Sequence, residues 1–265
     1  MSDLDLELDL DYHSFVKELK KHINIDLSQY KETQMKRRLT VLKNKRGYHS
    51  FRDYLKDIVK EPNLMDEFLD RMTINVSEFW RNSNRWSLLE KKYIPSLLNG
   101  NEQLKCWSAG CSTGEEAYTL SMILANQTSA SKYKIVASDL DERVLEKADK
   151  GKYDERSLRE LPQKYHKYIN KEQSYYKVLD LLKENIKFEK KNLLSDPFGS
   201  QFDLIICRNV MIYFTNPAKD LLYQKFSDAL KPGGILFVGS TEQIFSPKDY
   251  QLETEDMFFY RKMKS

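Results

Sequence analysis

Two adjacent carboxylates, Glu115 and Glu116, close the run Trp107-Ser-Ala-Gly-Cys-Ser-Thr-Gly-Glu-Glu116. The run follows a short apolar stretch (Leu104 to Trp107) and opens an amphipathic one (Ala117, Leu120, Ile123, Leu124). That order reads as strand, small-residue turn and helix start. Gly110 and Gly114 let backbone pass close to a ligand, and the free N–H groups of a helix terminus lie behind the turn. In a dinucleotide-type fold a nucleotide-like cofactor sits there. The phosphate fingerprint G-x-G-x-x-G is absent, however, and two acids stand where a pyrophosphate would go. They would repel a phosphate and attract a cation, so the turn points to S-adenosylmethionine, with its ammonium and sulfonium, rather than to NAD.

Three further groups join this turn. Asp139 ends the stretch Lys134–Ser138, 25 residues beyond Gly114 (139 − 114 = 25), where an acid accepts hydrogen bonds from ribose hydroxyls. Asn192 and Leu193, in Lys190-Lys-Asn-Leu-Leu194, offer a polar edge and an apolar face for adenine. Cys207-Arg-Asn-Val-Met-Ile-Tyr213 follows the next apolar stretch and supplies Arg208, Asn209 and Tyr213. In open α/β sheets ligands lie at the carboxyl ends of the strands, and these groups stand at four such ends. Each alone has a packing explanation: a tight turn, a helix-dipole acid, a helix cap at Asp139, Asp141 or Ser138, or a buried tyrosine. The ordered set is the signal.

The elements that must position these groups follow from periodicity. Leu104–Trp107, Lys134–Ser138, Ile186–Phe188, Leu204–Cys207 and Ile235–Val238 are strand-like, and helical patterns separate most of them. That alternation predicts βαβ units and a parallel sheet. Met257–Tyr260 reads as a last edge strand. Residues 151–184, rich in Tyr and Lys, break the alternation and read as a small β-insertion with one strand-like piece, Ser174–Leu179. Upstream, four apolar stripes keep helical spacing: Phe15, Leu19, Ile23; Met35, Leu39, Leu42; Phe51, Tyr54, Leu55, Ile58; and Met65, Phe68, Leu69, Met72. Gly47 is placed to end the second helix, Ser50 to cap the third, and Pro62 to sit in the first turn of the fourth. The expected organisation is an acidic frayed tail (1–11), a helical domain (12–74), a linker (75–98), and a cofactor-binding α/β domain (99–265) that carries the insertion.

With 265 residues, 40% hydrophobic and 31% charged, the composition is that of an ordinary globular protein. Apolar runs of four to six residues exclude a membrane-spanning helix. The acidic N-terminus does not resemble a secretory signal, and three cysteines fit reduced thiols and a cytoplasmic location. The four histidines lie far from Cys106, Cys111 and Cys207 without ligand-like spacing, so no metal is expected. Net charge is only +3, but residues 31–46 hold seven bases (Lys31, Lys36, Arg37, Arg38, Lys43, Lys45, Arg46) against Glu32. That block is a candidate docking surface for an acidic partner.

Over nearly its full length the chain resembles the CheR family of chemotaxis receptor methyltransferases. The matching segments are Met72-Thr-Ile-Asn-Val-Ser-Glu-Phe-Trp-Arg81, Trp107–Glu116, Ala137-Ser-Asp-Leu-Asp141, Cys207-Arg-Asn-Val-Met-Ile-Tyr-Phe214 and Phe237-Val-Gly-Ser-Thr-Glu242. The resemblance implies a Rossmann-like class I methyltransferase sheet behind an all-helical domain. It also implies methyl transfer from S-adenosylmethionine to glutamate side chains of chemoreceptor cytoplasmic helices. It places Asn75, Ser77 and Arg81 over the cofactor, Glu116 near its amino-acid end, Asp139 on the ribose, Asn192 with Leu193 on the adenine, and Arg208 with Asn209 along the wall. Either Glu115 or Glu116 could make the acidic contact; alignment with the family favours Glu116.

A glutamate acceptor, pKa about 4.3, is already ionised at neutral pH and needs no general base. Arg81 is the natural residue to orient it, because a guanidinium matches a carboxylate bidentately, while Tyr213 could bond that carboxylate or line the methyl channel. Lys36, Arg37, Arg38, Lys43 and Arg46 would steer acidic receptor helices. Some family members capture a receptor-tail pentapeptide with a glycine-containing loop in the insertion. Tyr168–Lys177 contains no glycine, so tight tether binding is not expected, and nothing demands more than a monomer. Alternatives remain. A nucleic-acid methyltransferase would exploit the basic helices, but no Asn-Pro-Pro-Tyr-like loop follows the fourth strand, and Ile206 rather than proline precedes Cys207. A cofactor-binding regulator would bind without turnover. A dehydrogenase lacks its phosphate fingerprint.

Overall fold

The sequence patterns are realised as two units in a computed structural model that describes residues 3–23, 25–73 and 77–264, with side chains from residue 9 onward. One unit comprises Met1–Ile74 with Tyr213–Asp220; the other comprises Asn75–Ile212 with Leu221–Ser265.

Four helices build the first unit: α1 (Asp3–Ile23), α2 (Glu32–Lys45), α3 (Phe51–Ile58) and α4 (Pro62–Met72). Their buried faces hold Phe15, Leu19, Met35, Leu39, Leu42, Phe51, Tyr54, Ile58, Phe68 and Met72, in keeping with the apolar stripes. The expected punctuation also holds. Ser50 accepts from the Asp53 amide at the start of α3, Pro62 occupies the first turn of α4, and Gly47 follows α2 at φ +80°, where a side chain would be strained.

The acidic N-terminal stretch corrects its expectation. Its residues 3–11 are not a frayed tail but the first half of α1. Leu–acid alternation suits a strand or a tail by pattern, yet two of its acids acquire tertiary partners. Asp11 accepts from the Phe51 amide at 2.6 Å and the Arg52 amide at 3.2 Å, satisfying orphan donors of α3 from another helix. Asp9 pairs with Lys36.

The segment Tyr213–Asp220 belongs to this unit although it follows the sheet strand Phe202–Cys207. Tyr30 and Phe214 form an antiparallel bridge. The Lys31 amide donates to Tyr213 O at 2.8 Å and the Thr215 amide to Gln29 O at 2.9 Å. The Tyr30 and Phe214 rings meet edge to face at 5.0 Å.

The second unit opens with α5 (Ser83–Leu88), a π-helical turn (Leu89–Tyr93) and α6 (Ile94–Leu98). The stretch read as a linker is therefore largely helical, and it buries Trp86, Leu89, Tyr93, Ile94 and Leu97. The remaining elements are β1 (Leu104–Ala109), α7 (Glu115–Gln127), β2 (Tyr133–Asp139), α8 (Glu142–Lys150), β3 (Lys152–Tyr153), β4 (Ile169–Lys171), β5 (Tyr176–Val178), α9 (Asp180–Lys183), β6 (Ile186–Lys190), β7 (Phe202–Cys207), α10 (Asn216–Ala229), β8 (Leu230–Val238), β9 (Leu252–Asp256) and β10 (Phe259–Lys262).

Seven strands form one sheet in the order β6-β2-β1-β7-β8-β10-β9. The pairs β6–β2, β2–β1, β1–β7 and β7–β8 are parallel, and β10 runs antiparallel to both neighbours. Every residue of β7 is buried, as expected for a parallel strand covered on both faces. The edge assignment at the C-terminus changes: β10 starts at Phe259, lies inside the sheet, and leaves the edge to β9. Stacking of Phe259 on Phe237 at 4.3 Å and Tyr93 at 4.5 Å holds it there. The insertion has three strands, β3-β5-β4, two more than its sequence showed. The hairpin between β4 and β5 closes without glycine, the Glu172 amide donating to Tyr175 O at 2.9 Å.

Candidate active site

Parallel strands bring the candidate residues of the second unit to one end of the sheet, since Ala109 pairs with Ser138 and Ile206 with Phe237. The glycine turn is fixed there from β2. Ser138 O accepts from the Gly110 and Cys111 amides at 2.8 and 2.9 Å, and Asp139 Oδ2 accepts from the Ser112 amide at 2.8 Å. Asp139 Oδ1 accepts from the Asp141 amide at 3.1 Å. The cap of α8 is Asp141, which accepts from Arg143 N at 3.0 Å. Asp139 is thus free of capping duty and braces the turn. Burial pushes its carboxyl above the ordinary aspartate value, against the pull of the Asp141 and Ser112 amides. Gly110 has no room for a Cβ, which would overlap Val210 Cγ2, so here glycine serves packing against the Arg208–Ile212 segment.

The two acids at the head of α7 have separate partners. Glu115 accepts from Thr113 Oγ1 at 2.7 and 2.9 Å and from the Ser77 hydroxyl, and burial raises its pKa. Glu116 accepts from Ser108 Oγ at 2.8 Å and faces Arg208 Nη1 at 3.5 Å. Burial drives both members of this pair toward neutrality, Glu116 upward and Arg208 downward, while each opposes that drift in the other.

Arg208 reaches further. Its Nη2 donates to Arg81 O at 2.8 Å and to Asn82 Oδ1 at 2.7 Å, and its guanidinium lies over the Trp86 and Phe237 rings at 5.4 and 5.0 Å. Trp80 and Asn82 both adopt positive φ, +61° and +64°, a conformation that persists only where surroundings enforce it. Arg208 is the enforcing group on one side; Thr119 Oγ1, which accepts from the Trp80 amide at 3.3 Å, is another.

Asn192 lies in a loop tied to this end of the sheet, the Lys191 amide donating to Asp139 O at 2.8 Å. Its Oδ1 accepts from the Leu194 amide at 3.0 Å, and Leu193 beside it is buried. Asn75 lies outside the described residues. Tyr213 belongs to the helical unit, where Arg38 stacks on its ring at 5.0 Å.

One residue of this end was quoted in a motif but given no role. Glu242, buried in the turn after β8, accepts from five backbone amides: Asn209 (2.7 Å), Val210 (2.9 Å), Met211 (2.6 Å), Ile212 (3.3 Å) and Gly239 (2.8 Å). An acid in Gly-Ser-Thr-Glu directly after an apolar strand was the available signal.

Of the docking residues on α2 and at its C-cap, three already have structural work. Lys43 is buried and donates to Tyr48 O and His49 O at 3.1 and 2.8 Å, closing the chain reversal after the helix. Arg46 pairs with Glu67 at 2.5 Å, and Lys36 with Asp9. Lys43 is therefore withdrawn from the docking surface, because its charge is spent on carbonyls. Arg37 is exposed.

A polar, cationic ligand suits the sheet end. Ser112 Oγ and Arg208 Nε are buried without hydrogen-bond partners, and a buried unpaired donor costs about 1–3 kcal/mol. Both stand beside carboxylates, Asp139 and Glu116, that can accept hydroxyls or meet an ammonium. Among the described residues no group of three or more His, Cys, Asp or Glu is placed to hold a metal ion. Nor is any helix there long and apolar enough to cross a membrane.

Comparison with known proteins agrees over most of the chain. A family model described as "CheR methyltransferase, SAM binding domain" matches residues 75–258, and one described as "CheR methyltransferase, all-alpha domain" matches residues 10–73. A chemotaxis protein methyltransferase from Listeria monocytogenes is 43% identical over 97% of this chain and 98% of its own length. One from Borreliella burgdorferi is 35% identical over 89% of each.

Proposed function

The chain belongs to the CheR methyltransferase family and is an S-adenosylmethionine-dependent methyltransferase of chemotaxis, and from that premise we propose that its acceptors are glutamate side chains on the cytoplasmic helices of chemoreceptors. The observation that carries this reading is the Arg208 bridge. One buried guanidinium faces the acid at the head of α7 and bonds the backbone of Arg81, so the residue best suited to orient a carboxylate is fastened to the cofactor end of the sheet.

The bound cofactor supplies an electrophilic methyl group on a sulfonium. Its holders would be Glu116 toward the ammonium, Asp139 toward the ribose, Asn192 and Leu193 toward the adenine, and Ser77, Arg208 and Asn209 along the wall, with Asn75 from the segment before them. For an acceptor already ionised at neutral pH, the protein has to align it and exclude water, effects worth up to about 7–11 kcal/mol in well-oriented cases. Arg81 orients the acceptor carboxylate without a proton transfer. Binding it too strongly would lower the ground state as much as the transition state and gain no rate. Tyr213 assists the acceptor. Arg37 and Arg38 lead the docking of acidic receptor helices, with Lys36 and Arg46 available at the cost of their present pairs. Recognition runs through this surface, without tight capture of a receptor-tail pentapeptide, and the protein acts as a cytoplasmic monomer.

The test is labelled-methyl transfer from S-adenosylmethionine to receptor-containing membranes, followed by mild base. Release of labelled methanol is expected, as from a carboxyl ester. Base-stable label, or label in nucleic acid, would overturn the acceptor.

A further inference from the structure

We propose that Glu242 is the positioning residue of the cofactor wall, setting the backbone of Asn209–Ile212 through four of its five amide contacts. A carboxylate offers about four lone-pair sites. Here Oε1 takes the Val210, Met211 and Ile212 amides and Oε2 takes those of Asn209 and Gly239. Asn209 stands at φ +60°, a left-handed turn that aims consecutive N–H groups inward around one anion. The turn bearing Glu242 is itself closed by its own amide donating to Gly239 O at 3.0 Å. A Cβ on Gly239 would collide with Glu242 Oε2 and lie 2.8 Å from the Asn209 amide, so the fit is tight from both sides.

Without this acid, four consecutive amides following β7 would lack these acceptors. Glu242 thereby places Arg208 and Asn209 at the end of the sheet. It also fixes the last residues of the catalytic unit before the chain passes, at Tyr213, into the helical one.

The inference rests on Arg208 and Asn209 serving the cofactor, and its test separates the two. Glu242→Gln conserves volume but replaces one acceptor oxygen with a donor facing at least two amides. The full-length variant is expected to bind S-adenosylhomocysteine at least tenfold more weakly by calorimetry, with acceptor KM changed less than threefold. Amide exchange is expected to accelerate at least tenfold in peptides covering 207–214 and 237–243 and to stay unchanged in β1 and β2. Gly239→Ala, which strikes the same contact from the opposite side, should reproduce both results, and it carries the test if Glu242→Gln does not fold.

Cofactor affinity within twofold of the parent in either folded variant overturns the proposal. So does loss of protection throughout the sheet, which would make Glu242 a general support. Asn209→Ala measured in parallel locates the failure. Unchanged affinity there removes the wall assignment and the proposal with it, while lost affinity there alone removes only the role of Glu242.

Discussion

Charge is dense in two regions of this molecule and is used in opposite ways. At the carboxyl end of the sheet, Asp139, Glu115, Glu116 and Glu242 are largely withdrawn from solvent and clasped by fixed donors, most of them backbone amides or hydroxyls. On α2 and at its C-cap the cations sit mainly at the surface, and several are already engaged: Lys36 by Asp9, Arg46 by Glu67, Lys43 by two carbonyls. Buried acids keep one geometry because leaving it exposes unpaired donors in low dielectric. Exposed cations trade partners cheaply, since surface pairs contribute only about 0–1 kcal/mol. On our proposal, the first region serves orientation and the second exchangeable docking.

That contrast can be broken most forcefully at Arg81. Arg81→Ala is expected to lower methyl transfer about 10²–10³-fold, the range for losing one oriented electrostatic group, while S-adenosylhomocysteine affinity changes little; equal losses would make Arg81 a simple cofactor ligand. Next comes Asp139→Ala, which removes an acceptor of two backbone amides and, on our reading, of the ribose. Calorimetry should show at least about 30-fold weaker binding, roughly 2 kcal/mol for charge-assisted bonds, and unchanged affinity would sink the ribose assignment.

Acidity probes the same carboxylate more gently. Burial raises its folded-state pKa above the ordinary value. Between the two values the native state therefore holds more protons than the unfolded one, and the apo protein loses stability as pH rises through that window. Cofactor binding, which uses the ionised form, should run the other way and weaken as pH falls through that window. Asp139→Asn should flatten that slope, and an unaltered slope would assign it elsewhere.

On α2 the expected effects are smaller and salt-dependent. Arg37→Glu should raise KM for a receptor fragment about three- to tenfold at low ionic strength and fade at high salt, because screening acts within about 8 Å at physiological salt. Lys43→Ala should leave KM alone and lower the melting temperature; the reverse pattern would restore Lys43 to the docking surface. Smallest is Asp11→Ala, which removes a cap contributed from another helix. About 1 kcal/mol, or some 4–8 °C in a unit this size, should disappear from the melting of the helical unit with no kinetic consequence.

Much of the fold was legible because its signals are local. The stripes of α2 to α4, the cap at Ser50 and the five parallel strands each follow from periodicity or from one residue's backbone preference. The errors arose where a partner distant in sequence decided the outcome. Residues 3–11 alternate like a tail yet are helical, with Asp11 engaging α3. Residues 83–98 read as a connector because no pattern announced the sheet face that buries Trp86 and Tyr93. Phe259 was placed at an edge because nothing local revealed that β9 would pair beyond it.

For the site, sequence alone determined the chemistry on offer: acids rather than a phosphate loop at the glycine turn, an acid after β2, and Arg208-Asn209 after β7. These are properties of residue type and order, and they persist in any chain that folds as βαβ. Only the tertiary structure decided the division of labour. It paired Glu116 with Arg208 and Glu115 with Ser77, turned Asp139 onto the glycine turn, spent Lys43 on carbonyls, and gave Glu242 five amides from segments some thirty residues apart. Hydrogen bonds and buried charge pairs act over a few ångströms, and which groups come that close is fixed by how the strands stack, not by their distance along the chain.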